Sequence, residues 1–219
     1  MPAVTIRVSK MHFPVTVLGP GRRIGIWLQG CDIGCPGCIS RDTWDAGAGE
    51  VHEIDAVLSW CRQIASQGCD GVTISGGEPF QQSAALMALL DGLRVWRREL
   101  EAPFDILCYS GFPMRRLERD HPQVLRLLDA IIPEPFARSK APGKLWRGSA
   151  NQKLVPLSAL GQSRYAAHVD SQPTARQIQF SLNDDTAWFI GIPAPGDFER
   201  MEQAVASQGV LLEKSSWRA

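Results

Sequence analysis

The run Gln29-Gly30-Cys31-Asp32-Ile33-Gly34-Cys35-Pro36-Gly37-Cys38 sets three cysteines in a Cys-x3-Cys-x2-Cys spacing. Three thiolates are an unusual ligand number. A structural zinc closes a tetrahedron with four protein ligands, and a [4Fe–4S] cluster usually takes four cysteines, one per iron. Three would leave one iron open, and an open iron can bind a substrate or cofactor. Gly30, Gly34 and Gly37 suit a loop that folds tightly around a bulky inorganic core. On the triplet alone, a structural zinc completed by His52 or by a remote cysteine is an alternative.

Outward from the triplet, apolar runs alternate with helical patterns. Residues 24–28 (Ile-Gly-Ile-Trp-Leu) read as a core strand that feeds directly into the cysteine loop. Residues 53–66 place Ile54, Val57, Leu58, Cys61, Ile64 and Ala65 on one helical face, and residues 83–96 do the same with Leu86, Leu89, Leu90 and Leu93. Strands are predicted at 3–8, 15–18, 72–75, 104–109, 130–132 and 152–155, and helical turns over 114–128. Strand–helix alternation argues for a parallel sheet with right-handed crossovers. Sites in such sheets form at the C-terminal ends of strands. Three motifs sit there: the cysteine loop, Ser75-Gly76-Gly77-Glu78-Pro79, and Tyr109-Ser110-Gly111-Phe112. A Gly-Gly turn after a buried strand marks a close backbone approach, and Glu78 beside it is placed to receive a ligand ammonium group. Taken alone, that turn reads equally as an ordinary tight turn, with Glu78 satisfying backbone N–H groups.

At 219 residues and 44% hydrophobic content, the chain supports one sizeable domain with a small appendage. Lys plus Arg is 23 and Asp plus Glu is 23, a formal net charge of zero, which gives no support for a nucleic-acid partner. No stretch approaches a membrane span, and Met1-Pro2-Ala3-Val4 lacks a signal pattern, so a cytoplasmic, reducing location is expected. Six cysteines, only three of them clustered, do not form a secreted disulfide framework. Cys61, Cys69 and Cys108 read as small hydrophobes, and Trp27, Trp44, Trp60 and Trp96 as core. None of the four histidines sits in a catalytic motif.

Cys-x3-Cys-x2-Cys followed by Gly-Gly-Glu after the next strand resembles the radical S-adenosylmethionine (SAM) superfamily. Over roughly the first 155 residues the chain is similar to the anaerobic ribonucleotide reductase activating proteins, a branch of the glycyl-radical-enzyme activases. Gly19-Pro20-Gly21-Arg22-Arg23, the Gln-Gly-Cys start of the loop, Tyr109-Ser110-Gly111-Phe112, the segment 129–136 and Arg147-Gly148-Ser149-Ala150-Asn151-Gln152-Lys153 match that family's blocks in order. Two departures stand out. Ser40-Arg41 replaces an Asn-Pro after the third cysteine, and Pro133-Glu134 replaces an Asp-Gly. No second cysteine-rich block lies between Cys38 and Gly76, unlike the larger activases with a ferredoxin-like insert.

The resemblance implies an α/β fold, a partial (β/α) barrel of radical SAM type open on one side. Cys31, Cys35 and Cys38 would hold a [4Fe–4S] cluster, and Gly37, Ile39, Gly76, Gly77, Glu78, Ser110 and Asn151 would bind SAM. A side chain at Gly77 is expected to intrude on the methionine part of SAM. The cluster and SAM would carry the chemistry, without a Ser/His/Asp or paired-carboxylate set. The implied activity is reductive SAM cleavage that leads to a glycyl radical on a partner enzyme, with a flavodoxin- or ferredoxin-like electron donor. The alternatives are a radical SAM enzyme acting on a small molecule or peptide, and an iron–sulfur interaction module without turnover.

Residues 1–155 then form the core domain, and 156–219 a linker and C-terminal module. The stretch 156–173 reads as polar and loop-like, with a helical turn at 163–168. Strands at 176–182 and 186–192 flank Asn183-Asp184-Asp185 as a hairpin. Pro193-Ala194-Pro195-Gly196 breaks the chain, and Asp197 caps a helix that ends at Gly209. Residues 210–213 would return as a strand, giving a ββαβ-like appendage. Partner recognition, a lid and a dimer contact are the expected roles, separate from building the radical site.

Overall fold

The computed structural model describes residues 3–174, 178–183, 186–194, 196–207, 209 and 212. Its centre is a seven-stranded mixed sheet in the order β3-β1-β2-β4-β5-β6-β7. The strands are β1 (Thr5–Val15), β2 (Arg23–Leu28), β3 (Glu50–Glu53), β4 (Gly71–Gly76), β5 (Asp105–Tyr109), β6 (Ala130–Ile132) and β7 (Val155–Pro156). β2, β4, β5 and β6 run parallel, while β1, β3 and β7 join antiparallel. The sheet does not close on itself among the described residues, so the architecture is α/β with a parallel-rich open sheet.

Burial on both faces explains the apolar runs of the parallel strands. All six residues of β2 are buried. Helix α1 (Ile54–Ala65) turns Ile54, Val57 and Cys61 inward. Helix α2 (Ser83–Trp96) buries Ala85, Leu86, Leu89, Leu90, Leu93 and Trp96. The two helices approach closely because Gly92 carries no side chain: a Cβ there would meet Leu58 Cδ1 at 2.3 Å. No helix among the described residues is long and apolar enough to cross a membrane.

The N-terminal ends of the parallel strands are locked by buried charge. The Arg23 guanidinium and the Asp105 carboxylate are fully buried and bonded at 2.7 Å and 3.1 Å. Arg23 Nε also donates to Thr73 Oγ1 at 2.7 Å. Arg164 reaches the same carboxylate at 2.6 Å, and the Tyr165 hydroxyl donates to it. A buried carboxylate shared by two guanidiniums and a phenol has its lone pairs satisfied, which is the condition for keeping such charge in a core. This network lies at the opposite end of the sheet from the motifs.

Several elements depart from the sequence reading. The strands expected at 3–8 and 15–18 are one strand, β1, with irregular register between Val8 and Lys10 and between His12 and Val15. β3 was not foreseen. The turns over 114–128 divide into α3 (Met114–Asp120) and α4 (Pro122–Leu125), because Pro122 suits a first helical turn and not an interior. The strand expected at 152–155 is only the two-residue β7. The polar stretch after residue 156 is not a loose linker. It forms α5 (Ala159–Tyr165), capped by the Ser158 hydroxyl on Gly161 N–H at 3.0 Å. Tyr165 is fully buried, and Arg147 donates to the carbonyls of Val169 (2.8 Å) and His168 (3.1 Å). Polar anchors hold this segment, so apolar periodicity did not reveal it.

The tail forms an antiparallel hairpin, β8 (Ile178–Asn183) and β9 (Thr186–Gly191), followed by α6 (Asp197–Ser207). Asp197 takes the Ala194 N–H and an ion pair with Arg200. Residues 176 and 177, the turn residues 184 and 185, Pro195, and residues 210, 211 and 213 of the expected last strand lie outside the described residues.

Candidate functional site

The cysteine loop leaves the C-terminal end of β2 and is drawn shut at a neck. Gly30 N–H donates to Thr43 O at 2.8 Å and Cys31 N–H to Trp44 O at 3.0 Å. The buried Gln29 amide straps the loop's far side, donating to Asp42 O (3.0 Å) and Asp45 O (2.8 Å). Inside the loop, Cys38 N–H donates to Cys35 O at 3.1 Å, and Ser40 N–H points at Cys38 Sγ at 3.4 Å. Gly34 and Gly37 take left-handed backbone (φ 62° and 78°), which their lack of a side chain permits. All three cysteines are free thiols and half-buried. Burial pushes the Cys31 and Cys35 thiols up. The backbone N–H groups near Ile33 and Gly34 pull Cys31 the other way, and that of Phe136 does the same for Cys35.

The Gly-Gly-Glu turn locks onto the loop's root. Gly77 N–H donates to Leu28 O at 2.7 Å and Glu78 N–H to Gly30 O at 2.8 Å. A Cβ on Gly77 would lie 2.1 Å from Gly30 O, and one on Gly76 would lie 2.4 Å from Leu28 backbone. The expectation that a Gly77 side chain would intrude on a ligand is therefore corrected. It would first collide with the cysteine loop's own backbone, and the glycine serves that contact.

Glu78 is 1% exposed. Its Oε1 accepts from Phe80 N–H (3.0 Å) and the Ser110 hydroxyl (2.9 Å), and its Oε2 from Gly111 N–H (2.7 Å). Burial pushes its carboxyl up to about 7, while these three donors oppose the shift. Ser110 Oγ in turn accepts from Phe112 N–H at 3.0 Å. Glu78 thus ties the turn after β4 to the turn after β5.

The Arg147–Lys153 block forms a platform beneath residues 134–137. Asn151 Nδ2 donates to Pro135 O (2.8 Å), Gln152 Nε2 to Glu134 O (3.0 Å), and Ser149 Oγ accepts from Ala137 N–H (3.1 Å).

These parts surround one cavity of about 870 Å³. Cys31, Cys35, Cys38, Gly37, Ile39, Gly76, Gly77, Glu78 and Ser110 all line it. Asn151 does not. It stands behind the wall, with Oδ1 buried and lacking a partner among the described residues. Trp27 and Trp44, read as core, also face the cavity. Lys10, Asp42, Glu134 and Gln152 were missed as lining residues. The one sequence signal at Glu134 was its place at an expected glycine. The tail was expected to stand apart from the site, yet Trp188, Phe189, Ile190 and Phe198 line the same cavity. Ile190 packs with Val15, Leu18 and Trp27. Gln179 bonds Pro14 O and Thr16 N–H. Trp188 stands edge-on to His12 and beneath Lys10, whose ammonium is paired to Asp42 of the cysteine loop at 2.6 Å.

The donor set suits an iron–sulfur cluster. Three free thiols and no histidine face a cavity that a cluster and a ligand can share. His52, the alternative fourth zinc ligand, lies on β3 beside Glu50 at 3.4 Å. Among the described residues no three His, Cys, Asp or Glu side chains converge as a single ion requires.

An open α/β sheet with a three-cysteine loop at its C-terminal edge defines a cluster-binding protein, and the comparisons agree. Residues 17–155 match the family described as a 4Fe-4S single cluster domain. The chain is 30% identical over 153 residues to the anaerobic ribonucleoside-triphosphate reductase-activating protein of Salmonella typhi, covering 67% of this chain and 96% of that one. The protein of that name from Vibrio cholerae serotype O1 is 31% identical over 149 residues (65% and 94%). That of enterobacteria phage T4 is 28% identical over 138 residues (63% and 86%). The chain belongs to the 4Fe-4S single cluster domain family, in its branch of anaerobic ribonucleoside-triphosphate reductase-activating proteins. The family match ends at residue 155, so the tail lies beyond it.

Proposed function

We propose that this protein is a radical SAM activating enzyme that installs a glycyl radical on a separate enzyme of the anaerobic ribonucleotide reductase type. The observation that carries this reading is the meeting of Cys31, Cys35 and Cys38 with the Gly76–Glu78 turn on one cavity, in a chain that spans 96% of a reductase-activating relative. In this reading the sheet is the open, partial barrel of the radical SAM type. When bound, the cluster and SAM supply a one-electron reductive cleavage that ends in removal of hydrogen from a glycine Cα.

The chain's own residues hold and orient. Cys31, Cys35 and Cys38 fix three irons and leave the fourth for SAM. The Gly76–Gly77 backbone sets the loop's root. Glu78 holds the Ser110–Gly111 turn in place. Leu18, Trp27, Trp44 and Phe136 give the cavity apolar walls that exclude water from a reactive site. A flavodoxin- or ferredoxin-like protein is the proposed electron donor, in a reducing, cytosol-like compartment.

Anaerobic reconstitution should give about four irons and four sulfides per chain. Cys31→Ala, Cys35→Ala or Cys38→Ala should abolish stable loading, and Cys61→Ala should not. The loaded, reduced protein should release 5′-deoxyadenosine from SAM and raise a glycyl electron paramagnetic resonance signal on the reductase. A single tight zinc with no iron uptake would overturn the assignment.

The tail favours a second reading. Residues beyond the family match line the cavity, which suits a radical SAM enzyme whose substrate is a small molecule or peptide seated against the hairpin. A product of low mass, with no protein radical, would decide for it.

A further inference from the structure

Three carboxylates line the cavity, and their surroundings differ. Asp42 is paired with Lys10 at 2.6 Å. Both oxygens of Glu78 are occupied by donors from its own chain at 2.7–3.0 Å. Glu134 is half-buried, and the one polar contact of its carboxylate among the described residues is Met114 N–H at 3.3 Å.

Glu134 also holds an unusual backbone. Its φ is 87°, a left-handed conformation that glycine adopts freely and that costs another residue about 1–2 kcal/mol. The fold pins it there from both sides. Glu134 N–H donates to Phe112 O at 3.1 Å, and Glu134 O accepts from Gln152 Nε2 at 3.0 Å. Gln152 is itself fixed, its Oε1 accepting from Gly148 N–H at 3.0 Å. Strain that the surroundings over-determine, at a position where glycine would relieve it, points to a task for the side chain. The place is apt: Phe136, two residues on, turns its N–H toward the Cys35 sulfur.

We propose that Glu134 is the carboxylate that receives the α-ammonium group of the bound SAM, and that Glu78 is a positioning residue that clamps the two turns together. This rests on SAM being the cofactor.

The test is equilibrium binding to the anaerobically loaded, oxidised protein, in which no turnover occurs. Two probes are compared: S-adenosylhomocysteine, and 5′-methylthioadenosine, which lacks the amino-acid end. Glu134→Gln should weaken S-adenosylhomocysteine about tenfold, the loss of one charge-assisted contact, and leave 5′-methylthioadenosine unchanged. Glu134→Gly should weaken the first probe as much while raising the urea midpoint, because the strain is gone. A purely structural Glu134 would move affinity and stability together. Glu78→Gln should weaken both probes alike, as a displaced clamp would.

Unchanged S-adenosylhomocysteine affinity in Glu134→Gln, or equal loss for both probes, would overturn the proposal. If the loaded wild-type protein bound neither probe, SAM itself would be the wrong cofactor, and the assignment of Glu134 would fall with it.

Discussion

β2 and β9 are both six-residue strands that end on the same cavity, yet they reach it by different means. β2 has β1 on one side and β4 on the other, and every residue is buried. Its position is set by backbone ladders and a fully buried ion pair at its start. β9 pairs with β8, and Ile190 is its one buried residue among those whose side chains are described. Its position relative to the sheet rests on side chains: Ile190 in a small cluster, Gln179 on the end of β1, and Trp188 against His12. The helix that follows, α6, buries no residue. The cysteine wall is therefore rigid and the tail wall is lightly held. That contrast follows the family match, which includes β2 and stops before β9.

The largest break in this contrast should come from the foot of β2. Asp105→Asn removes the charge that Arg23, Arg164 and Tyr165 share and leaves a fully buried guanidinium uncompensated. The expected loss is about 3–5 kcal/mol of unfolding free energy, read by urea denaturation. A loss below about 1 kcal/mol would mean that the apolar ladder alone seats β2.

Much of this was legible in the sequence because it is local or periodic. The cysteine spacing, the Gly-Gly turn and the faces of α1 and α2 each lie within a few residues of one another. What stayed hidden is held by distant polar contacts. β3 has the sequence Glu-Val-His-Glu, a pattern that acquires meaning only when β1 pairs with it. α5 is seated by Arg164 and Tyr165 reaching a carboxylate some sixty positions earlier. Asn151 looked like a cofactor ligand because it stands in a motif, but the motif supports the wall from behind. Glu134 differs from its neighbours only by a backbone angle. The tail's place depends on one glutamine amide and one isoleucine, which carry no signature of where they dock.

A middle-sized effect is expected from pH, and it tests the rigid side through its clamp. The Glu78 carboxyl is raised by burial from 4.5 to about 7 in the folded protein. Between those values the folded chain keeps a proton that the unfolded chain has lost. Stability from this group is therefore complete below about pH 4.5, falls as pH rises toward 7, and is flat above that. The shift corresponds to about 3 kcal/mol at most. Urea midpoints at pH 5 and pH 8 should show wild type losing stability upward, and Glu78→Gln, which carries no titrating proton, should lack that slope. An identical slope in the variant would assign the effect to other groups.

The smallest effect should appear on the tail side, and its locality matters more than its size. Gln179→Ala removes the amide that bonds Pro14 O and Thr16 N–H and leaves Ile190 in its cluster. One or two partly exposed hydrogen bonds are worth about 1 kcal/mol net, so the hairpin should open several-fold more often against the sheet. The global urea midpoint should not move, because the sheet's ladders and core do not pass through Gln179. Native-state hydrogen exchange reads this directly. Amides of residues 178–183 and 186–191 should exchange faster in the variant, while those of 23–28 keep the wild-type rate. Should the β2 amides accelerate in step with the hairpin, the two walls would belong to one cooperative unit and the contrast between them would be wrong. Should neither change, the hairpin's seat would rest on Ile190 alone, and Ile190→Ala would then have to release it.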